Sequence, residues 1–368
     1  MGDEATRCSD PVRGEVPQRR DRMRAAVVDD ARRIGITTLP RPACPTGHVR
    51  VRVEACGVCG SDLHAARRGD WRPVLVPGHE IAGRIEALGG GVDVGGSGLP
   101  LSRETPVVVE PLATCGDCPD CRAGHDSVCA SLVIRGVHAP GGFAESIVVP
   151  AARVHPIAPQ LEPGVATLIE PLAVALHALD RASGVAGERV LVIGAGAIGL
   201  LSAFAARQAG AAEVRIRARY PQQAEHARAL GAIPEQANRS GPATSNARGF
   251  DVVIETVGGA AETLVEASEA IRPRGRIVVL GLFDGPPALD PMQALEKELT
   301  FLFSNCYQTG DGDRPDFARA AELMAQHHER LAPLVTHRLG LEEIRHAFTI
   351  AADKRAGVGK LVVVPSSN

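Results

Sequence analysis

Four cysteines fall within fifteen residues: Cys115, Cys118 and Cys121 at two-residue gaps, then Cys129 after a longer one. Thiolates at such gaps curl around one ion, and the longer gap lets the chain return to supply the fourth corner of a tetrahedron. The spacing therefore predicts a closed structural zinc site. Four unligated thiols in a loop are the alternative, and the interleaved Gly, Pro and Asp argue against it. A closed site leaves no position for a substrate, so the reacting groups must lie elsewhere.

A second stretch with chemistry in it runs from Val190 through an apolar strand into Gly194, Gly196 and Gly199, and then into a helical pattern. Strand, GxGxxG and helix together predict a dinucleotide site. Gly194 permits the tight turn, Gly196 lets the backbone approach a pyrophosphate, and Gly199 allows close helix packing. The helix start, with Ile198, offers free N–H groups to the anion. A glycine-rich packing turn without a ligand is the alternative. About twenty residues on, an acid would bind the ribose 2'-hydroxyl and repel a 2'-phosphate. That position holds Ala218, flanked by Arg217 and Arg219. NADP(H) is thus expected over NAD, with Arg219 the first phosphate partner and Arg217 the second; a solvated strand end is the competing explanation.

Three further stretches are spread widely: Cys59-Gly-Ser61-Asp62-Leu-His64, then Pro77-Gly-His79-Glu80, then Ile169-Glu170-Pro171. Together with the cysteine cluster and the glycine turn they resemble the zinc-dependent medium-chain alcohol dehydrogenases, in the polyol (sorbitol) and threonine dehydrogenase branch. The likeness covers nearly all of Met23 to Val364. It implies one catalytic and one structural zinc per chain, with Cys59 and His79 as catalytic ligands. Glu80 and Glu170 match acids that bind directly or through water, and the lack of a cysteine near Glu170 speaks against a Cys-His-Cys site. Asp62 matches a carboxylate that orients the histidine without touching the metal, and Ser61 and His64 match a proton relay. A zinc with an open position stabilises a deprotonated hydroxyl near neutral pH, which makes the carbinol carbon a better donor of hydride to nicotinamide.

Blander explanations exist for each. Cys56 and Cys59 form a CxxC pair, but no thioredoxin-like βαβ pattern surrounds it. A surface histidine is the alternative for His64 and a buried structural acid for Glu80, whereas the Pro-Gly before His79 and the Glu after it argue against an ordinary core histidine there. Glu110 reads as structural, and Cys8, Cys44 and Cys306 as incidental.

The elements that must hold these groups follow two patterns. Before about residue 160, short β-like segments such as His48–Ala55, Glu80–Leu88 and Thr105–Glu110 alternate with turns rich in Gly and Pro, and Gly89–Gly98 reads as a flexible surface loop. Pro163 onward reads as one long buried helix. Strands and helices then alternate, which predicts a parallel, doubly wound sheet: Arg189–Ile193, a helix over Ala197–Ala209, Glu213–Ala218, a helix over Pro221–Leu230, Phe250–Glu255 and Arg276–Leu280. Phe301–Gln308 is the expected last strand, and Pro234–Gly249 shows no pattern. The fold class is α/β: a GroES-like, mostly antiparallel, barrel-like catalytic domain over residues 23–160 and 310–368, and a Rossmann domain over 161–309. Residues 1–22, polar and containing Pro11 and Pro17, read as a disordered tail.

The 368 residues, 45% hydrophobic, suit two domains. A formal net charge of -3, from 40 basic and 43 acidic residues, gives no basic footprint for nucleic acid, and 3% aromatics gives no stacking platform. No apolar run reaches membrane-spanning length. Closely spaced cysteines suited to metal point to a reducing, cytoplasmic setting. By analogy with the resembled family a homodimer or homotetramer is expected. The reaction expected is interconversion of a secondary alcohol and a ketone on a small polar substrate, such as a polyol, sugar derivative, amino alcohol or aminocyclitol, in a biosynthetic step. The alternatives are a primary alcohol or aldehyde reductase, and a catalytically silent nucleotide-binding zinc protein.

Overall fold

The computed structural model describes residues 21–73, 75–236, 249–309 and 315–365. The tail expected over residues 1–22 falls outside this description up to residue 20. Arg22 already opens a strand, Arg22–Val28, paired antiparallel with Ile34–Pro40.

His48–Gly57 is the central strand of the first sheet. Val49, Val51 and Val53 are buried in alternation with partly exposed arginines, the period-two signature of a half-buried strand. Glu80–Leu88 pairs antiparallel along one side. On the other side, Ser146–Pro150 pairs with its first half, and the chain's final strand, Lys360–Val364, pairs with its end through Val362 to Gly57 and Val363 to Cys56. Pro106–Val109 and Val154–Pro156 extend one edge, and Val335–Gly340 extends the other in parallel with the final strand.

The second sheet has six strands, all parallel. Numbered from Arg189–Ile193 in chain order, they lie 3-2-1-4-5-6, the order of a doubly wound nucleotide-binding sheet. Val190, Leu191 and Val192 are consecutive and fully buried, because helices cover both faces. The helix Ala197–Gln208 follows the first strand directly. Ligands of such sheets bind at the carboxyl ends of the strands, where the order reverses. Among the described residues no helix is long and apolar enough to cross a membrane.

Three sequence expectations change. The helix from Pro163 is two helices, Pro163–Ala166 and Ile169–Arg181; Pro171 has no N–H to give the Thr167 carbonyl, and its ring crowds that oxygen. The last strand spans only Thr300–Phe303. Beyond it the chain leaves the sheet, with Cys306 at φ 49° and the Gln308 and Thr309 amides given to Asp316 and Asp126. Part of the patternless stretch, Ile233–Gln236, is a strand beside Glu213–Ala218; residues 237–248 lie outside the described set.

The four-cysteine lobe leaves the first sheet after Pro106–Val109. It docks where the last parallel strand ends: Asn305 Nδ2 donates to Ser127 O at 2.8 Å and the Thr309 amide to Asp126 Oδ1 at 3.0 Å.

The tight turn at residues 194–199 supplies a test. Gly194 sits at φ 102°, and a Cβ on Gly199 would lie 1.9 Å from the Gly194 carbonyl oxygen. Gly199→Ala is expected to cost about 1–3 kcal/mol of stability and to weaken NAD(P) binding, read by thermal melting and cofactor fluorescence titration. A variant that melts and binds like the parent contradicts this role for the turn.

Candidate active site and metal centres

Cys59 caps the N-terminus of the helix Gly60–Arg68. Asp62, buried one turn in, accepts a hydrogen bond from the Cys59 amide through Oδ2 at 3.0 Å. His79 and Glu80 arrive from the other direction, at the start of Glu80–Leu88, where Glu80 pairs in register with Gly57. The ligating atoms of Cys59, His79 and Glu80 all lie within 4.8 Å of one another. His79 Nδ1 is buried without a hydrogen-bond partner and lies 3.8 Å from Asp62 Oδ1. Burial works against a charged His79 ring, yet the negative groups around it, Asp62 foremost, place its pKa well above the ordinary value.

Lys360 is the residue that spacing alone did not reveal. Its Nζ donates to both oxygens of Glu80, at 2.6 and 2.7 Å, with the two side chains only 3% and 0% exposed. The only signal in the sequence is a lone lysine opening an otherwise apolar strand. Glu170 stands in the first turn of Ile169–Arg181, outside the tight donor set, and burial pushes its carboxyl up to about 7 beside His79 and Glu80. Among the described residues, His79 and Lys360 are the basic groups that act most strongly on Asp62 and Glu170, and Lys360 pairs with Glu80. Buried negative charge of this density calls for a cation, and a thiolate, an imidazole and carboxylates are donors suited to zinc. The residues fit the metal.

The Cys306 thiol is pushed up to about 12, by burial first and then by the charges of Glu170 and Cys59. Tyr307 beside it is fully buried, and among the described residues its hydroxyl has no hydrogen-bond partner. Ser61 lies on the first turn of the helix after Cys59, partly buried. His64 lies a turn further, its Nδ1 3.2 Å from Arg67 Nη2. Among the described residues no hydrogen bond joins it to Ser61. Burial, with Arg67 next, lowers the His64 pKa.

At the dinucleotide turn, Gly196 is exposed with open space above it, and it starts the helix Ala197–Gln208 without a side-chain cap. The free N–H groups of that helix are left for an anion; Ile198 is partly buried in its first turn. Arg217 departs from expectation. It is buried and ion-paired to Glu266 on the helix Thr263–Ala270, because a guanidinium buried at that depth requires a partner. Arg219 is exposed at the strand end, with no side-chain partner among the described residues.

The four cysteines also gather their sulfurs within 4.8 Å. Cys115 Sγ lies 3.9 Å from Cys121 Sγ and 3.5 Å from Cys129 Sγ, near the roughly 3.8 Å edge that zinc–sulfur bonds of about 2.3 Å require of a tetrahedron. Backbone N–H groups, that of Cys121 first, hold the Cys118 thiol down at about 6, while desolvation pushes Cys121 up to about 12. All four can be thiolates together only around a cation.

Comparison with known proteins gives a consistent picture. The alcohol dehydrogenase GroES-like domain family matches residues 45–159, and the glucose dehydrogenase C-terminus family matches residues 164–358. A 2-dehydro-3-deoxy-L-galactonate 5-dehydrogenase of Pseudoalteromonas atlantica is 32% identical over 324 residues, covering 86% of this chain and 91% of its own length. An L-threonine 3-dehydrogenase of Saccharopolyspora erythraea is 33% identical over 354 residues, covering 91% and 97%. Among solved structures, a zinc-binding dehydrogenase of Sinorhizobium meliloti 1021 bound to NADP superposes with a TM-score of 0.83 at 29% identity, over 94% of this chain and 99% of that one. Galactitol-1-phosphate dehydrogenase of Escherichia coli gives 0.81 at 29%, over 93% and 100%.

The lobe geometry predicts that Cys118→Ala loses roughly one zinc per chain and melts at a lower temperature, since structural zinc contributes folding free energy. Elemental analysis and calorimetry check it; unchanged zinc content and melting point would refute the lobe assignment.

Proposed function

We propose a substrate class and a set of catalytic residues for this chain, which belongs to the zinc-dependent medium-chain alcohol dehydrogenase family and, with it, to the NAD(P)-dependent oxidoreductases that interconvert secondary alcohols and ketones. The observation that carries the residue assignment is the convergence of Cys59, His79 and Glu80 in a buried, strongly anionic site. Cys59 and His79 are the direct zinc donors. Glu80 and Glu170 add carboxylate charge, Glu80 in exchange with its bond to Lys360, and Asp62 orients His79. Zinc held there supplies a Lewis acid for the substrate oxygen, and the nicotinamide takes or gives the hydride. Ser61 and His64 carry the alcohol proton outward. The amides at 194–199 seat the cofactor's pyrophosphate, which fixes the nicotinamide relative to the substrate. The substrate is a small polar secondary alcohol: a polyol, sugar derivative, amino alcohol or aminocyclitol. Buried carboxylates in place of a second catalytic thiolate favour a hydroxyl-rich molecule, and the named relatives act on a sugar acid and on threonine.

We place residues 23–160 and 310–368 in the catalytic domain and 161–309 in the nucleotide domain, with a boundary near that of the two family matches. Exposed Met292, Leu295 and Phe303 beside the unpaired edge strand favour a homodimer or tetramer through that edge; light scattering that returned a monomer would remove this assignment. A cytoplasmic location suits thiolate-bound zinc, and cell fractionation tests it.

Two experiments test the reading. Cys59→Ala is expected to abolish turnover on a panel of polyols, amino alcohols and aminocyclitols and to lose roughly one zinc, yet to fold, because an open catalytic site is not a structural staple. Retained turnover or wholesale unfolding contradicts it. With Arg217 committed to Glu266, the NADP preference rests on Arg219. Arg219→Ala should raise the KM for NADP roughly tenfold, the loss of one charge-assisted bond, and leave that for NAD unchanged. A parent enzyme that clearly prefers NAD sinks the assignment.

A further inference from the structure

One carboxylate ties a loop of the parallel sheet to the helix that Cys59 caps. Asp284 lies in the loop after the strand Ile271–Val279. Arg67 Nη2 donates to its Oδ1 at 3.0 Å and its Oδ2 at 2.9 Å, and Arg68 donates to Oδ1 and, at 3.0 Å, to the carbonyl of Phe283. His64, on the same helix, has Nδ1 3.6 Å from Asp284 Oδ1 and 3.2 Å from Arg67 Nη2. Neither sequence spacing nor the assigned catalytic set accounts for this cluster.

We propose that Asp284 is a positioning residue for proton transfer: it cancels the charge of Arg67 and Arg68 beside His64 and holds the imidazole in place. This rests on the reading of His64 as the outer group of the relay. Two guanidinium groups next to one imidazole disfavour its protonated form. Lys354, two residues past the helix Ile344–Ala352, lines the same groove as His64 and Arg67 and adds positive charge, so that among the described residues Asp284 is the anion set against His64. Removing its charge makes His64 harder to protonate. A relay histidine must be protonated to return a proton during ketone reduction and neutral to accept one during alcohol oxidation, so the loss falls on reduction. Partly exposed ion pairs contribute little to folding, so the effect is expected in proton transfer and not in melting temperature.

The test is Asp284→Asn in the zinc-loaded enzyme, with His64 followed by NMR titration of 13C-labelled histidine and assigned from His64→Gln. The expected result is a His64 midpoint moved to lower pH, an opposite movement in Arg68→Met, and an unchanged midpoint in Asp284→Glu. In kinetics on fructose and sorbitol, or on acetoin and butane-2,3-diol, reduction at pH 7 should slow roughly fivefold, a fraction of what a positioned proton donor supplies, while oxidation slows less. In the His64→Gln background Asp284→Asn should add nothing. An unmoved midpoint in folded Asp284→Asn overturns the proposal. If Asp284→Asn does not fold, an unmoved midpoint in Arg68→Met does the same. His64→Gln with parental turnover overturns the relay reading instead, whatever the midpoint does.

Discussion

The buried ion pair between Lys360 and Glu80 is the constraint on which the arrangement of the site depends. Two charges removed from water are tolerated only with close pairing, and taking away one partner would leave the other stranded. Lys360 opens the chain's final strand, and that strand pairs with Gly57 and Cys56, immediately before Cys59. Completing the first sheet and neutralising the acid beside the catalytic donors are therefore the same event. The strand that neutralises Glu80 lies 280 residues further along the sequence.

The two metal centres differ in how they are built. The lobe cysteines come from one short segment whose own backbone amides point at the sulfurs, with the Cys118 amide on Cys115 Sγ and the Cys121 amide on Cys118 Sγ. Such a site needs little help from the rest of the fold. The donors proposed for the catalytic metal come from a helix cap, a strand start and a helix in a separate part of the chain, with Lys360 from a fourth element. An open site must be held by its surroundings, since a missing ligand position weakens its own cohesion. Asn305 and Thr309 fasten the lobe to the segment that follows the last parallel strand.

The cofactor end follows a different logic. Its phosphate turn is a matter of backbone shape, fixed by glycines and a helix start. The end of the next strand depends on which charges find partners. Arg217 finds Glu266 and is withdrawn from any ligand, while Arg219 stays exposed two residues on. Adjacent arginines that look equivalent in the chain are separated by one acid on a neighbouring helix.

What the sequence determined by itself was whatever is local or periodic. The zinc lobe, the 194–199 turn, the alternation of Val49, Val51 and Val53, and the boundaries of Arg189–Ile193 and Glu213–Ala218 were legible because their causes lie within a few residues of one another. Cys59, His79, Glu80 and Glu170 were legible only through resemblance, as no spacing rule links them. Tertiary structure alone decided that Lys360 meets Glu80, that Arg217 pairs with Glu266, that the chain leaves the last parallel strand at Ser304, and that Asp284 reaches Arg67 and Arg68. Each is an electrostatic or hydrogen-bonding choice between groups distant in the chain. Burial sets its strength, and burial is a property of the folded molecule.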